Sequence, residues 1–148
     1  NDSLGTIPRL LDLGMKPNML AGNIIAALAQ RLVRRLCPAC RRPVQATPEE
    51  CRMLGIDPAR PPTIYQPVGC QACRNTGYTG RVAVAEVLVM NDELDEVMGQ
   101  GGSRAALKVV AKKHGFHSMA EDGTEKVLAG EISIASLSRV VDLTGLAE

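Results

Sequence analysis

Apolar residues recur along this chain in two rhythms, and each rhythm predicts a different kind of element. Ile7, Leu10, Leu11 and Leu13 predict a short helix that stops at Gly14. Ile24, Ile25, Leu28, Leu32 and Leu36 recur at helical spacing, so a longer helix with one apolar stripe is expected from about Asn18 to Leu36. Thr47-Pro48-Glu49-Glu50 has a capping-box pattern with proline at the first helical position, which predicts a short helix carrying Cys51, Met53 and Leu54 and stopped by Gly55. Pro58, Pro61 and Pro62 mark a loop, and Thr63 to Val68 a short strand. From Arg81 to Met90 the rhythm becomes strict alternation. Val82, Val84, Leu88 and Met90 share one face, and Ala83, Ala85, Val87 and Val89 share the other, so a strand buried on both sides is expected. Glu86 lies on the Val84 face, where an inward carboxylate requires a partner from another element, an arginine being the expected kind. The remainder carries helix starts at Asn91, Ser103, Ser118 and Ser133 and stops at Gly101-Gly102, Gly115 and Gly130.

Cysteines interrupt this pattern in a regular way. Cys37/Cys40 and Cys70/Cys73 form two Cys-x-x-Cys pairs separated by 29 residues. Each pair reads as a turn that aims two thiolates at one point, and two such turns supply the four soft ligands of a closed tetrahedral Zn²⁺ site. The long separation makes the site a clip around an inserted excursion. A closed Cys₄ site leaves no open coordination position, so it argues for a structural metal. A disulfide framework is disfavoured, because no secretory signal is present and five cysteines leave one unpaired. A thioredoxin-type pair would need one such motif beside a βαβ pattern, and the spacing departs from the tight clusters of ferredoxins. Cys51 is read as a small apolar residue of its helix. A Zn(Cys)₄ centre carries a charge of about −2. The flanking Arg34, Arg35, Arg41 and Arg42 are therefore expected to neutralise it, with phosphate binding as the sharper alternative.

Composition narrows the function further. A hydrophobic fraction of 45% indicates a globular chain, while the aromatics are limited to Phe116, Tyr65 and Tyr78, so the core must be aliphatic and base stacking has few platforms. A formal net charge of +1 gives no global field to attract nucleic acid or membrane. The most apolar stretch, Leu20 to Leu36, is interrupted by Gly22, Asn23, Gln30 and three arginines, so no transmembrane segment is expected. Reduced thiols without a targeting segment suggest the cytoplasm. The opening residues, without a Met, read as the continuation of a longer chain. His114 and His117 read as helix-terminus or surface residues. No Walker-type Gly-x-x-x-x-Gly-Lys-Ser/Thr, Gly-x-Ser-x-Gly or His-Glu-x-x-His occurs. The residues alone thus describe an α+β, mainly helical, zinc-stapled module without a catalytic constellation. The alternative is a zinc-ribbon nucleic-acid binder using Arg31, Arg34, Arg35, Arg41, Arg42 and Arg74.

The order of the motifs goes further than the motifs singly. Ala29-Gln30-Arg31-Leu32-Val33-Arg34-Arg35-Leu36-Cys37-Pro38-x-Cys40 is followed by Gly69-Cys70-x-x-Cys73-x-x-Thr76-Gly77-Tyr78-x-Gly80-Arg81. The strand with Glu86 follows, then Met119-x-x-Asp122-Gly123-x-x-Lys126-Val127-x-x-Gly130. This series resembles the C-terminal part of the secretion ATPases that drive type II secretion and type IV pilus assembly, and it covers essentially the whole chain. The opening NDSLGTIPRLLDLGMKP resembles the segment after that family's histidine box.

The resemblance implies three parts: residues 1–36 as the end of a RecA-like ATPase core, 37–80 as a tetracysteine zinc subdomain, and 81–148 as a return strand and helical C-terminal subdomain. It implies Cys37, Cys40, Cys70 and Cys73 as ligands of a structural Zn²⁺. The family's nucleotide and hydrolytic motifs would lie before Asn1, so no catalytic or nucleotide-binding residue is assigned and the chain alone is expected to be inactive. The parent protein is implied to be a cytoplasmic hexamer that hydrolyses ATP with Mg²⁺. Its motion would pass to inner-membrane platform or assembly proteins, with no nucleic acid involved. Arg81 and Glu86 match the pattern without an implied role.

Overall fold

The structure, a computed structural model, describes residues 2–146. Seven α-helices and four strands give a mixed α+β fold among these residues. The ends of the partition read from the motifs (Asn1, Ala147 and Glu148) lie outside the described residues. Two compact units form, one from residues up to Gln30 together with Ala85–Ser118, the other from Arg31–Val84 together with Met119 onward. Strands β1 (Ala26–Leu36) and β4 (Tyr78–Val89) pair with each other and contribute to both units. The Met90 amide donates to the Ile25 carbonyl at one end and the Cys37 amide to the Gly77 carbonyl at the other, so the two strands run antiparallel.

β1 corrects the helix expected from Asn18 to Leu36. Only Pro17–Leu20 is helical (α2), and an extended strand follows. Leu, Ala, Gln and Arg favour helix locally, but a partner strand some fifty residues later supplies the backbone hydrogen bonds and overrides that preference. The buried positions of β1 include Ala27, Val33 and Leu36, whereas Ile25, Leu28 and Leu32 of the supposed stripe are exposed. β4 matches the expected strand but is buried on one face only. Val84, Glu86 and Leu88 are buried, while Val87 and Val89 on the other face are exposed.

In the first unit, α1 (Ser3–Asp12), α2, α4 (Asp92–Gly99) and α5 (Arg104–Lys113) surround one core. Ile7, Leu88, Leu94, Met98 and Leu107 are its deepest members. Each such side chain contributes about 1.5–3 kcal/mol when fully buried, more than the ~1 kcal/mol of a helix cap. The caps instead fix where the helices begin. The side chains of Asp2, Asn91 and Ser103 accept from the amides of Gly5, Leu94 and Ala106. Asp2 is also bridged by Arg104. Glu86 is buried, and another element does meet it: Oε1 accepts from the Ser3 amide at 2.7 Å and the Ser3 hydroxyl at 2.8 Å. The carboxylate of β4 therefore meets the open donors at the start of α1, where the helix dipole favours negative charge. His114 closes α5 and contacts Glu93 at 2.6 Å, as a helix-terminus histidine.

The second unit holds the excursion between the cysteine pairs. β2 (Arg42–Gln45) pairs antiparallel with β3 (Thr63–Gln66), placing Arg42 opposite Gln66 and Gln45 opposite Thr63. Between them, α3 (Pro48–Met53) begins with the expected capping box. The Glu50 amide donates to Thr47 Oγ1, and the Thr47 amide to Glu50 Oε2. α6 (Met119–Leu128) packs against β3, and α7 (Ile134–Ser138) follows a short loop. Within α6, Gly123 faces Leu137 so closely that an added Cβ would lie 2.5 Å from Leu137 Cδ1. No described helix is long and apolar enough to cross a membrane.

Candidate metal centre

The β2–β3 pairing explains how cysteines far apart in sequence converge. β1 delivers Cys37 at its end, and the first turn closes with the Arg41 amide donating to the Cys37 carbonyl at 3.0 Å. Arg42 opens β2, and β3 returns the chain beside it at Gln66, only a few residues before Cys70. The second turn is tighter. Residues Gln71–Cys73 form a 3₁₀ turn, and Arg74 and Asn75 then take left-handed backbone angles with φ of 55° and 61°. The Asn75 amide donates back to the Cys70 carbonyl at 2.8 Å, and the Thr76 hydroxyl to the Cys73 carbonyl at 2.7 Å. Finally, the bond from the Cys37 amide to the Gly77 carbonyl, 2.9 Å, ties the two turns together.

The four sulfurs meet. Their ligand atoms all lie within 4.8 Å of one another, and Cys37–Cys70, Cys70–Cys73 and Cys40–Cys73 are separated by 3.8, 3.8 and 3.9 Å. A tetrahedral Zn²⁺ with bonds of about 2.3 Å requires sulfur–sulfur edges of roughly 3.8 Å, so the donor set has the shape as well as the chemistry of such a site. All five cysteines are free thiols. Cys51 is wholly buried in α3 and stands outside the cluster, as a small apolar residue of its helix.

Backbone amides, more than side-chain cations, address these sulfurs. Gly69 N–H donates to Cys40 Sγ at 3.3 Å, and the amides of Cys70 and Gly77 donate to Cys73 Sγ at 3.2 Å each. Such bonds disperse thiolate charge without placing a full cation beside it. Gly77 suits this place because its φ is +81° and an added Cβ would stand 2.5 Å from Pro67 Cβ. Burial pushes the Cys73 thiol up, but the Cys70 and Gly77 amides and the Cys70 and Cys40 thiols outweigh it and bring it down to about 6. At Cys40 the Gly69 amide pulls the other way from burial and the neighbouring Cys37, Cys70 and Cys73 thiols, which together push it up to about 11. Four crowded thiols thus do not ionise together on their own, which is the situation a divalent cation relieves.

Three of the flanking arginines also make specific contacts of their own. Arg34 lies over the Tyr78 ring at 4.0 Å, and Arg41 over the Tyr65 ring at 4.8 Å while donating to the Gly130 carbonyl. Arg42 reaches Gln66 at 3.4 Å. The amide donors at Gly69 and Gly77 were missed in the sequence reading. Their signal was there: a glycine directly before the second pair and another four residues after it.

A knuckle-closed excursion followed by a long strand and a set of short capped helices defines a class, and the comparisons place it. A family model described as "Type II/IV secretion system protein" matches residues 1–139. The chain belongs to that family. It is 39% identical over 140 residues to the type II secretion system protein E of Pseudomonas aeruginosa, covering 95% of this chain and 28% of that protein. It is also 39% identical over 140 residues to the type IV pilus assembly ATPase PilB of Myxococcus xanthus, covering 90% of this chain and 24% of that one. The PilB of Thermus thermophilus is 37% identical over 146 residues, covering 97% of this chain and 16% of its own length. The chain therefore spans about a quarter or less of the relatives it matches.

Proposed function

We propose that this chain is the C-terminal, non-catalytic part of a hexameric cytoplasmic ATPase that powers type II protein secretion or type IV pilus assembly. Residues 1–36 close the RecA-like core, 37–80 form the zinc subdomain, and 81–148 supply the return strand and C-terminal helices. Cys37, Cys40, Cys70 and Cys73 hold a structural Zn²⁺, which when bound supplies folding energy and no reactive position. ATP and Mg²⁺ belong to the portion of the parent that this chain does not span, and inner-membrane platform proteins receive the motion. The observation that carries this reading is the four-sulfur cluster set within motifs whose order runs through the family match.

What the residues do is positional. The paired turns tie Cys37, after the end of β1, to Gly77, before the start of β4. The nucleic-acid alternative loses ground, because Arg34 and Arg41, two of its six arginines, are stacked on tyrosines. The test is nucleotide turnover. The purified 148-residue chain should not hydrolyse ATP, and the full-length parent carrying Cys70→Ser should fail in secretion or pilus extension. Steady hydrolysis by the chain alone, or normal assembly by the variant, would overturn the proposal.

A further inference from the structure

Residues 130–133, in the loop joining α6 to α7, are held by side chains and backbone groups near the cysteine pairs. Leu36, directly before Cys37, donates its amide to the Glu131 carbonyl at 2.8 Å. Arg41, directly after Cys40, donates Nη1 to the Gly130 carbonyl at 2.5 Å while lying over Tyr65. Tyr78, which follows Gly77, places its hydroxyl 3.0 Å from Ser133 Oγ and carries Arg34 on its ring. Ser133 in turn accepts from the Ser136 amide and so starts α7. Ile132, between these anchors, is fully buried. Gly130 makes the approach feasible: its φ is +78°, and an added Cβ would stand 2.5 Å from Arg41 Nη1 and 2.9 Å from Tyr65 Cδ2.

We infer that the cysteine knuckles and the α6–α7 loop form one cooperative unit, with Arg41 and Tyr78 as positioning residues through which metal occupancy sets the order of residues 130–133 and of α7. The inference rests on the metal reading given above and extends it to a particular output. The physical ground is that Leu36 and Arg41 sit one residue outside a cysteine pair, and Tyr78 directly follows the glycine that ties the two pairs together. A site that fixes the knuckles fixes the spacing of the anchors, and freeing the knuckles releases it. Coupling of this kind is reciprocal, so removing an anchor must weaken the metal, by up to the factor with which the metal orders the loop.

Hydrogen exchange by mass spectrometry on the Zn²⁺-loaded chain and on the chain stripped with a chelator reads the first direction. Stripping should speed exchange at 130–137 on the order of tenfold or more, in step with the segments around both knuckles. Knuckles that loosen while 130–137 keeps its protection would overturn the inference. Competition with a chromophoric chelator reads the second direction. Arg41→Ala should weaken Zn²⁺ retention about tenfold, Tyr78→Phe less, because it keeps the ring under Arg34 and loses only the Ser133 contact. Wild-type retention in both variants would also overturn it, and Tyr78→Phe serves if Arg41→Ala does not fold. A chain that takes up no Zn²⁺ at all would overturn the metal reading itself, an outcome distinct from a metal-loaded chain whose loop does not respond.

Discussion

Replacing Glu86 tests the joint between β4 and the start of α1. One carboxylate oxygen accepts both the Ser3 amide and the Ser3 hydroxyl, at 2.7 and 2.8 Å, in a buried setting. Hydrogen bonds to a charged group are worth about 1.5–3 kcal/mol each, and a buried donor left without an acceptor costs about 1–3 kcal/mol. Glu86→Ala removes the acceptor from two donors and leaves a cavity, so a loss of about 3–5 kcal/mol is expected once the recovered cost of burying the charge is set against it. Glu86→Gln keeps the shape and one acceptor oxygen but loses the charge assistance, for about 1–2 kcal/mol. Native-state hydrogen exchange at the α1 amides of Ile7, Leu10 and Leu11 is the suitable assay, since each 1.4 kcal/mol appears as a tenfold change in protection. Protection should fall roughly tenfold for the glutamine variant and a hundredfold or more for alanine. A double-mutant cycle of Glu86→Gln with Ser3→Ala should show a coupling of about 1 kcal/mol. Unchanged α1 exchange in Glu86→Ala, or strict additivity in the cycle, would refute the reasoning.

Two further predictions concern the second unit. Gly123→Ala gains helix propensity of up to about 1 kcal/mol, but its Cβ must displace the fully buried Leu137, so a net loss of about 1–2 kcal/mol in chemical denaturation is expected. In the metal-stripped chain the Cys73 thiolate should appear by ultraviolet absorbance with a midpoint near 6, below its ordinary value of 9.0, and Cys73→Ser should remove that step. The sign follows from the lowered value: the stabilisation of this thiolate is fully present above about 9 and is lost as the pH falls through about 6.

Elements announced by local chemistry were legible in the chain. The capping box at Thr47, the caps at Asn91, Ser103 and Ser133 and the alternation of residues 81–90 each act within a few residues, and the structure carries all of them. The convergence of the four sulfurs was legible too, because Cys-x-x-Cys spacing is itself a statement about two short turns. β1 was not legible, since its sequence satisfies a helical period and only the distant β4 decides otherwise. The exposed outer face of β4 was missed because both of its faces are apolar in sequence. The contacts of Glu86 with Ser3 and of Arg41 with Gly130 were hidden by distance along the chain. Ser3 lies 83 residues from Glu86 and Gly130 lies 89 residues from Arg41, and nothing local in the chain marks either pairing.

The central claim is that these four thiolates hold one structural zinc. Metal analysis of the chain purified without added metal, joined to X-ray absorption at the zinc edge, measures it directly. One zinc per chain with four sulfur neighbours at about 2.3 Å is expected. Zinc well below one per chain, or a shell in which oxygen or nitrogen replaces any of the four sulfurs, would contradict it.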